Sequence, residues 1–595
     1  MRSLGFDVRA ATDATEAAEL LAAVPASQRV ALVDPRFVGH VHALRLGLTD
    51  PRFAVATVPG ALTAQPEARA AVLGALRTAV AAVGAGVGTG SPVAPPGAEP
   101  AAEDHTVPGR LAAALDAEGT AVQRPELGSL TAAVPDGPED RAAVRSAVAA
   151  VDDEAVRLRS AVKAHDGFFT TFFISPYSRY IARWCARRGF TPNQVTTASL
   201  ITALIAAGSA ATGTRGGYVA AGVLLLLSFV LDCTDGQLAR YSLQYSTMGA
   251  WLDATFDRAK EYAYYAGLAL GAARGGDDVW VLALGAMVLQ ACRHVVDFSF
   301  NEANHDAVSN TSPTAALSDK LDSVGWTVWL RRMIVLPIGE RWAMIAVLTA
   351  VTTPRIVFYA LLVGCALAAC YTTAGRLLRS LTRKAQRTDR AAGALADLAD
   401  SGPLAQAVAA VVRRPGGGFT APLLALAGAL VLVAAALFAP YGSWLTVGAA
   451  GVYAVVSGLA VSRPLKGALD WLVPPVFRAA EYCTVLALAA RSDVPHAVPA
   501  AFGLVSAVAY HHYDTVYRIR GGTGAPPQWL VRTIGGHEGR TLVVAVLAAL
   551  LTGASAFTTA LTALAAAVAL VVLVESIRFW VSSSAPAVHD EGELA

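Results

Sequence analysis

The chain has 595 residues, of which 54% are hydrophobic and 15% charged, with a formal net charge of +2. A mean hydropathy of +0.47 exceeds what soluble domains carry and excludes an ordinary soluble enzyme, while the near-balanced charge leaves no basic face of the kind a nucleic-acid partner needs. The six cysteines, Cys185, Cys233, Cys292, Cys365, Cys370 and Cys483, have neither metal-type spacing nor a disulfide pattern and read as small core residues.

Residues 1–165 contain no apolar run long enough to cross about 30 Å of hydrocarbon. Their start, MRSLGFDVRAATDATEAAELL, lacks the basic-then-apolar pattern of a signal peptide, so the region is expected to stay cytoplasmic. RVALVD (29–34) and FAVATV (53–58) read as buried strands, the second followed by an Ala-rich helix, giving a small α/β domain. Residues 85–107, rich in Gly, Pro and Ala, read as a linker, and a charged helix is expected from about 139 to 164. His40 and His42 in GHVH invite comparison with paired nucleotidyltransferase histidines. No phosphate-cradling glycine loop precedes them, and they read as surface residues.

The membrane part starts with an amphipathic stretch (168–190) that sets aromatics on one side and Arg179, Arg183, Arg187 and Arg188 on the other, a pattern for the membrane interface. Six spans follow at roughly 194–213, 216–233, 249–272, 279–299, 333–352 and 355–375, which with the interfacial helix make a domain of 166–376. Basic residues cluster before the first span, between the second and third, between the fourth and fifth, and after the sixth. The opposite loops hold only Arg215, Arg274 and Arg355. The positive-inside bias therefore puts both ends of this bundle, and the loop carrying the aspartates described below, on the cytoplasmic side of a cell membrane. Residues 377–418, polar and basic with the breaker RRPGGG, read as a cytoplasmic connector. Six more apolar segments within 419–595, at about 419–438, 443–461, 473–490, 495–516, 541–556 and 557–576, bring the expected total to twelve. The expected class is a mainly α, polytopic membrane protein: two six-helix bundles and a small soluble α/β domain.

Residues 232–257 read DCTDGQLARYSLQYSTMGAWLDATFD. Residues three or four apart share a helix face, so Asp232 with Asp235 and Asp253 with Asp257 can point into one gap between two helices. Four carboxylates at a membrane boundary repel one another unless a cation neutralises them, and hard oxygen ligands suit Mg2+ or Mn2+ bridging phosphate oxygens. Gly236 and Gly249, lacking side chains, would let a nucleotide or phosphate come close to the backbone.

The spacing Asp-x-x-Asp-Gly-x-x-Ala-Arg, eight residues, Gly, three, Asp, three, Asp is met at Asp232, Asp235, Gly236, Ala239, Arg240, Gly249, Asp253 and Asp257. Over about residues 165–376 the chain thus resembles the CDP-alcohol phosphotransferase (CDP-alcohol phosphatidyltransferase) family, and Thr191-Pro192-Asn193 with Val195-Thr196 resembles the start of that family's membrane domain. The resemblance implies a six-helix catalytic bundle that moves a phosphatidyl or polyol-phosphate group from a CDP-linked donor to an alcohol acceptor, releasing CMP. It implies two divalent ions at a metal site of Asp232, Asp235, Asp253 and Asp257, with Asp257 also acting as general base. Asp232, Gly236, Ala239, Arg240 and Gly249 would take up CDP. Arg293, in CRHVVD, would clamp a phosphorylated acceptor, with Arg332, Arg341 and Lys320 as further candidates. Lys163 and Asp166-Gly167 loosely resemble the linker between the cytidylyltransferase and transferase halves of inositol-phosphate-using fusion members, which would make the N-terminal domain a divergent, non-catalytic nucleotidyltransferase.

WLDATFDRAKEY (251–262) aligns with WLVPPVFRAAEY (471–482), and WLRRMI (329–334) with WLVRTI (529–534). The second membrane half therefore reads as a duplicate in which Val473 and Phe477 replace Asp253 and Asp257, an inactive partner for the first half in an intramolecular pseudo-dimer, with a homodimer as the other arrangement. HHYDTVYRIRGG (511–522) and GGHEGR (535–540) read as headgroup contacts and helix caps, not as a metal site built on His511, His512 and His537. An ion-coupled transporter or a scaffold with a vestigial centre are the competing readings. Intact aspartates at the edge of one half only weigh against both.

Overall fold

In the computed structural model, residues 1–25, 28–50, 53–84, 106–163, 166–305, 333–382, 387–414, 417–551, 553 and 555–582 are described, and both expected N-terminal strands form. The N-terminal elements are α1 (Ala14–Ala23), β1 (Val30–Val33), β2 (Val38–Gly39), α2 (Val41–Thr49), β3 (Val55–Val58), β4 (Ala61–Ala64), α3 (Arg69–Gly84), α4 (Val107–Ala117), β5 (Val122–Gln123), β6 (Ala132–Ala133), α5 (Pro138–Ala150) and α6 (Asp153–Ser160). β1, β4, β3 and β5 make one sheet in that order, with β4 antiparallel to both neighbours and β5 parallel to β3, and β2 pairs with β6. Leu21, Val30, Leu62, Val72, Leu76, Leu111 and Leu115 form the core beneath the sheet. The helix expected over 139–164 is two helices, because the Asp152 carboxylate accepts from the Glu154 and Ala155 amides and starts α6 afresh. The expected linker falls almost wholly outside the described residues.

His40 and His42 are not surface residues: both are buried, at 6% and 3% exposure. Helix α2 turns Ala43, Leu44 and Leu48 inward onto β3 and β4, and its first turn is carried in with them. His40 Nδ1 accepts from the Thr131 amide at 3.0 Å. Burial, with Arg157 and Arg45 nearby, pushes the His42 imidazole down to about 4 from its ordinary 6.5. The unfolded chain takes up this proton near pH 6.5 and the fold only near pH 4, so the stabilisation is complete above 6.5 and lost progressively as pH falls toward 4. Hydrogen exchange over residues 41–49 is expected to be faster at pH 5 than at pH 7 after correction for intrinsic rate, and His42→Gln should flatten that dependence. The same domain docks on the membrane part, where Arg45 donates to the Ser242 carbonyl at 2.9 Å and Arg157 to the Tyr241 carbonyl at 3.2 Å.

The interfacial segment forms a π-helical turn over Thr170–Ile174 and then α7 (Ser175–Arg187). Phe173, Tyr177, Tyr180 and Trp184 form an exposed stripe, while Arg183 and Arg187 pair with Glu154 of α6 at 3.1 and 2.9 Å. The remaining helices of the first half are α8 (Pro192–Ala211), α9 (Arg215–Ser242), α10 (Thr247–Arg274), α11 (Trp280–Asn304), α12 (Ile338–Val351) and α13 (Pro354–Thr382). After them come α14 (Asp389–Ala399), α15 (Pro403–Val411), α16 (Thr420–Phe438), α17 (Trp444–Val461), α18 (Val473–Arg491), α19 (Ala497–Arg520), α20 (Gln528–Thr533), α21 (Gly536–Leu550) and α22 (Ala556–Ser582).

Each of the twelve expected spans coincides with a helix, and eight of the described helices are long and apolar enough to cross a membrane: α8, α9, α11, α13, α16, α17, α18 with the turn before it, and α22. α12 and α21 have only 14 and 15 residues, and α10 and α19 carry charged residues along their length. Val223, Val363, Leu367, Leu423 and Leu430 are exposed on the spans, as lipid-facing positions must be, and exposed Cys370 on α13 corrects the reading of every cysteine as a core residue. The connector is also packed more closely than its polarity suggests: Leu395 and Leu398 of α14 are fully buried.

The packing of the first half is repeated in the second. α7 lies on α9 as α15 lies on α17; α8 on α9 and α10 as α16 on α17 and α18; α9 on α12 as α17 on α21; and α11 on α13 as α19 on α22. The halves meet reciprocally through α11 on α18 and α10 on α19. Trp251 of α10 stacks on Trp580 of α22 at 6.0 Å, and Trp471, just before α18, donates to Ser380 of α13 at 2.9 Å.

Candidate functional site

Asp232 and Asp235 stand near the end of α9, Asp253 and Asp257 near the start of α10, and α8 packs against both helices. Helical spacing therefore turns both pairs into the same gap. One carboxylate oxygen from each of Asp232, Asp235 and Asp253 lies within 4.8 Å of the other two. Asp235 is 4% exposed, and its Oδ2 finds no hydrogen-bond partner among the described residues, whereas Asp253 reaches the surface. A donor set sealed at one end and open at the other, with an unsatisfied buried oxygen, fits a hard divalent cation.

Asp257 lies outside that mutually close group. Its Oδ1 is 2.8 Å from Lys260 Nζ, one turn further along α10. The ammonium also pairs with Asp232 and donates to Ser199 Oγ at 3.2 Å, and the lysine side chain is fully buried. Lys260 is absent from the site residues expected from the sequence, although its i+3 spacing from Asp257 places it on the carboxylate face.

Gly236 faces the Arg240 guanidinium, whose nitrogens stand at ordinary contact distance, 3.5–3.6 Å, from where a Cβ would lie. Ala239 is half-buried on the same stretch of α9, and Arg240 Nε is held by the Ala161 carbonyl at 2.6 Å. At Gly249 a Cβ would stand 2.8 Å from both Asn193 Oδ1 and Ser246 Oγ. Here the missing side chain serves the contact between the starts of α8 and α10, while Ser246 caps the Gly249 amide at 2.9 Å. Gly249→Ala is expected to cost on the order of 1–2 kcal/mol through this crowding, read as a lower unfolding midpoint in detergent.

Arg293, 7% exposed on α11, donates to the Val335 carbonyl ahead of α12. Arg341 on α12 is committed to Glu261 at 3.2 Å, a carboxylate that also pairs with Arg258 at 2.7 Å and accepts from Tyr265 at 2.7 Å. Arg332 and Lys320 lie outside the described residues.

At the corresponding place in the second half, Phe477 stacks on His537 at 4.2 Å, and charge is closed on itself. Asp400 faces Arg478 at 2.9 Å, Arg540 at 2.8 Å and His511 at 3.1 Å. Glu481 faces Arg478 at 2.9 Å and Arg540 at 2.6 Å. His511 and His537 are 1% and 0% exposed, so they are members of a buried polar network and not headgroup contacts. Among the described residues the aspartate trio is the one grouping of His, Cys, Asp and Glu with metal-type spacing.

Fold and site define a polytopic membrane protein with a carboxylate centre suited to divalent-ion phosphate chemistry. Residues 190–366 match the family described as CDP-alcohol phosphatidyltransferase, and the chain carries a domain of that family. Residues 389–595 match a family described as a family of unknown function (DUF5941). The chain is 33% identical over 131 residues to the phosphatidylinositol phosphate synthase of Streptomyces avermitilis, covering 22% of this chain and 51% of that protein. It is 32% identical over 132 residues to the bifunctional IPC transferase and DIPP synthase of Aquifex aeolicus (21% and 29%), and 30% identical over 113 residues to the archaetidylinositol phosphate synthase of Pyrococcus horikoshii (19% and 58%). The chain thus spans about half the length of the first of these relatives, and less than two thirds of each.

Proposed function

We propose that this protein transfers a phosphatidyl or polyol-phosphate group from a CDP-linked donor to an alcohol acceptor, with release of CMP, in phospholipid or phosphodiester synthesis. The observation that carries this reading is the convergence of Asp232, Asp235 and Asp253 in a gap that Asp257 adjoins, within the segment that matches the family. The three carboxylates would hold Mg2+ or Mn2+, which when bound would neutralise charge on the diphosphate and on departing CMP. The nucleotide phosphates would lie along the Gly236 face of α9, beside the Arg240 guanidinium. Asp257 takes the proton from the acceptor hydroxyl as its oxygen attacks the phosphorus bearing the transferred group. Because the relatives are named for inositol-phosphate products, inositol phosphate is the first acceptor to test, with Arg293 as its phosphate clamp. Arg341, already neutralised by Glu261, is the weaker candidate.

The site opens to the cytoplasm in this reading. Support comes from the few arginines on the opposite side, which are already occupied: Arg215 by the Thr352 carbonyl at 3.0 Å, Arg274 by the Ala211 carbonyl and Arg355 by Asp277.

The second half serves as an altered copy packed on the first about a pseudo-two-fold axis. Three observations support this. Arg258–Glu261–Arg341 is matched by Arg478–Glu481–Arg540. Glu340 accepts from the Phe169 amide at the start of the interfacial segment, just as Glu538 accepts from the Gly402 and Ala405 amides at the start of α15. RRGFTP (187–192) returns as RRPGGGFTAP (413–422). Reciprocal contacts of this kind are what an isologous pair gives.

Incubation of the purified chain with Mn2+ or Mg2+, CDP-diacylglycerol and inositol phosphate, beside a panel of other CDP-alcohols and acceptors, should release CMP. Failure of every pair to exceed the Asp235→Asn background would remove the catalytic reading.

A further inference from the structure

The resemblance implies two divalent ions, but between Asp232 and Asp257 the structure places an ammonium. Lys260 Nζ contacts both carboxylates and the Ser199 hydroxyl, and its side chain is fully buried. Among the described residues, the charged partners of that ammonium, Asp232 and Asp257, both belong to the aspartate site. Driving it off those two oxygens would strand a buried cation with a hydroxyl and the face of Trp342, 5.5 Å away, for company, and an uncompensated buried charge is expensive. The trio of Asp232, Asp235 and Asp253 does not include Asp257 and has the partnerless Asp235 Oδ2 at its sealed end, so one ion can bind there without displacing the lysine.

A second observation is independent of the geometry. In the aligned segments WLDATFDRAKEY and WLVPPVFRAAEY, the arginine, glutamate and tyrosine persist, while the two aspartates become Val473 and Phe477 and the lysine becomes Ala480. Where the carboxylates are gone the ammonium is gone with them, as expected of their counter-ion and not of a residue held for helix packing.

We propose that Lys260 is a built-in cation of the transfer site, occupying the second metal position, so that each chain binds one divalent ion, at Asp232, Asp235 and Asp253. This rests on reading the aspartates as a divalent-metal centre. Lys260 is then a positioning residue that fixes Asp257 beside the reacting hydroxyl.

The test is the stoichiometry of Mn2+ on the purified full-length chain, followed by electron paramagnetic resonance titration with and without CDP. One ion per chain is expected for the wild type, none at the same concentrations for Asp235→Asn, one for Lys260→Arg, and a second for Lys260→Met, whose side chain keeps the bulk but not the charge. Two ions of affinity within tenfold of each other in the wild type overturn the proposal, whether or not CDP is needed, as does a single ion in a folded Lys260→Met chain. Should Lys260→Met not fold, the wild-type and Lys260→Arg counts decide alone. A wild type that binds no Mn2+ removes the metal centre itself, which is a different failure from the count of two.

Discussion

Asp257→Asn is expected to lower CMP release roughly 100- to 10,000-fold, the range over which a positioned general base contributes. Asparagine preserves the size of the side chain and can still accept a hydrogen bond from Lys260 through its amide oxygen, but it cannot take up the acceptor's proton. Because Asp257 stands outside the close trio, the variant should retain its bound Mn2+, whereas Asp235→Asn should lose activity and ion together. That contrast tests the division into ligands and base that the family resemblance implies. The measurement is CMP production under saturating donor and acceptor alongside Mn2+ binding on the same preparations. A rate within tenfold of wild type would remove Asp257 from the proton transfer.

Asp400→Asn is expected to be the most destabilising single change in the second half. Asp400 and Glu481 together balance Arg478 and Arg540, and all four side chains are between 1% and 3% exposed. Removing one carboxylate leaves two buried guanidinium groups sharing the other, and breaking a buried ion pair from one side costs about 3–5 kcal/mol. Asp389→Asn is the control. Asp389 pairs with Lys466 at 2.8 Å, but its side chain is 94% exposed, so its loss should cost about 1 kcal/mol or less. The unfolding midpoint in detergent should fall far more for Asp400→Asn than for Asp389→Asn. Adding Arg540→Met to the former should recover part of the loss, because charge balance returns. Equal shifts for the two aspartates would refute the closed network.

Asp400 also shows where reading along the chain fails. It ends α14 with a left-handed backbone, φ 52°, in a stretch whose composition suggests a polar cytoplasmic connector, yet it meets residues 78 and 140 positions further on. Arg341 is similar. From the sequence it is a candidate clamp for the acceptor phosphate, and in the fold it belongs to Glu261, 80 residues earlier. His40 and His42 look like surface histidines until β3 and β4 are placed over α2.

The sequence by itself determines the membrane class, the positions of the twelve helices, the four-aspartate signature and the hint of an altered second half. The first three depend on periodicity or composition within about 25 residues, hydropathy over a span and short spacings on a helix face, and the last on comparing distant segments of the chain. Only the tertiary structure decides which charges meet. It separates three aspartates from the fourth, brings Lys260 onto Asp232 across 28 residues, and turns the second half's arginines inward onto Asp400 and Glu481. A buried ion must be matched by whatever carboxylate the packing brings near, and nothing in the local pattern records which one that is.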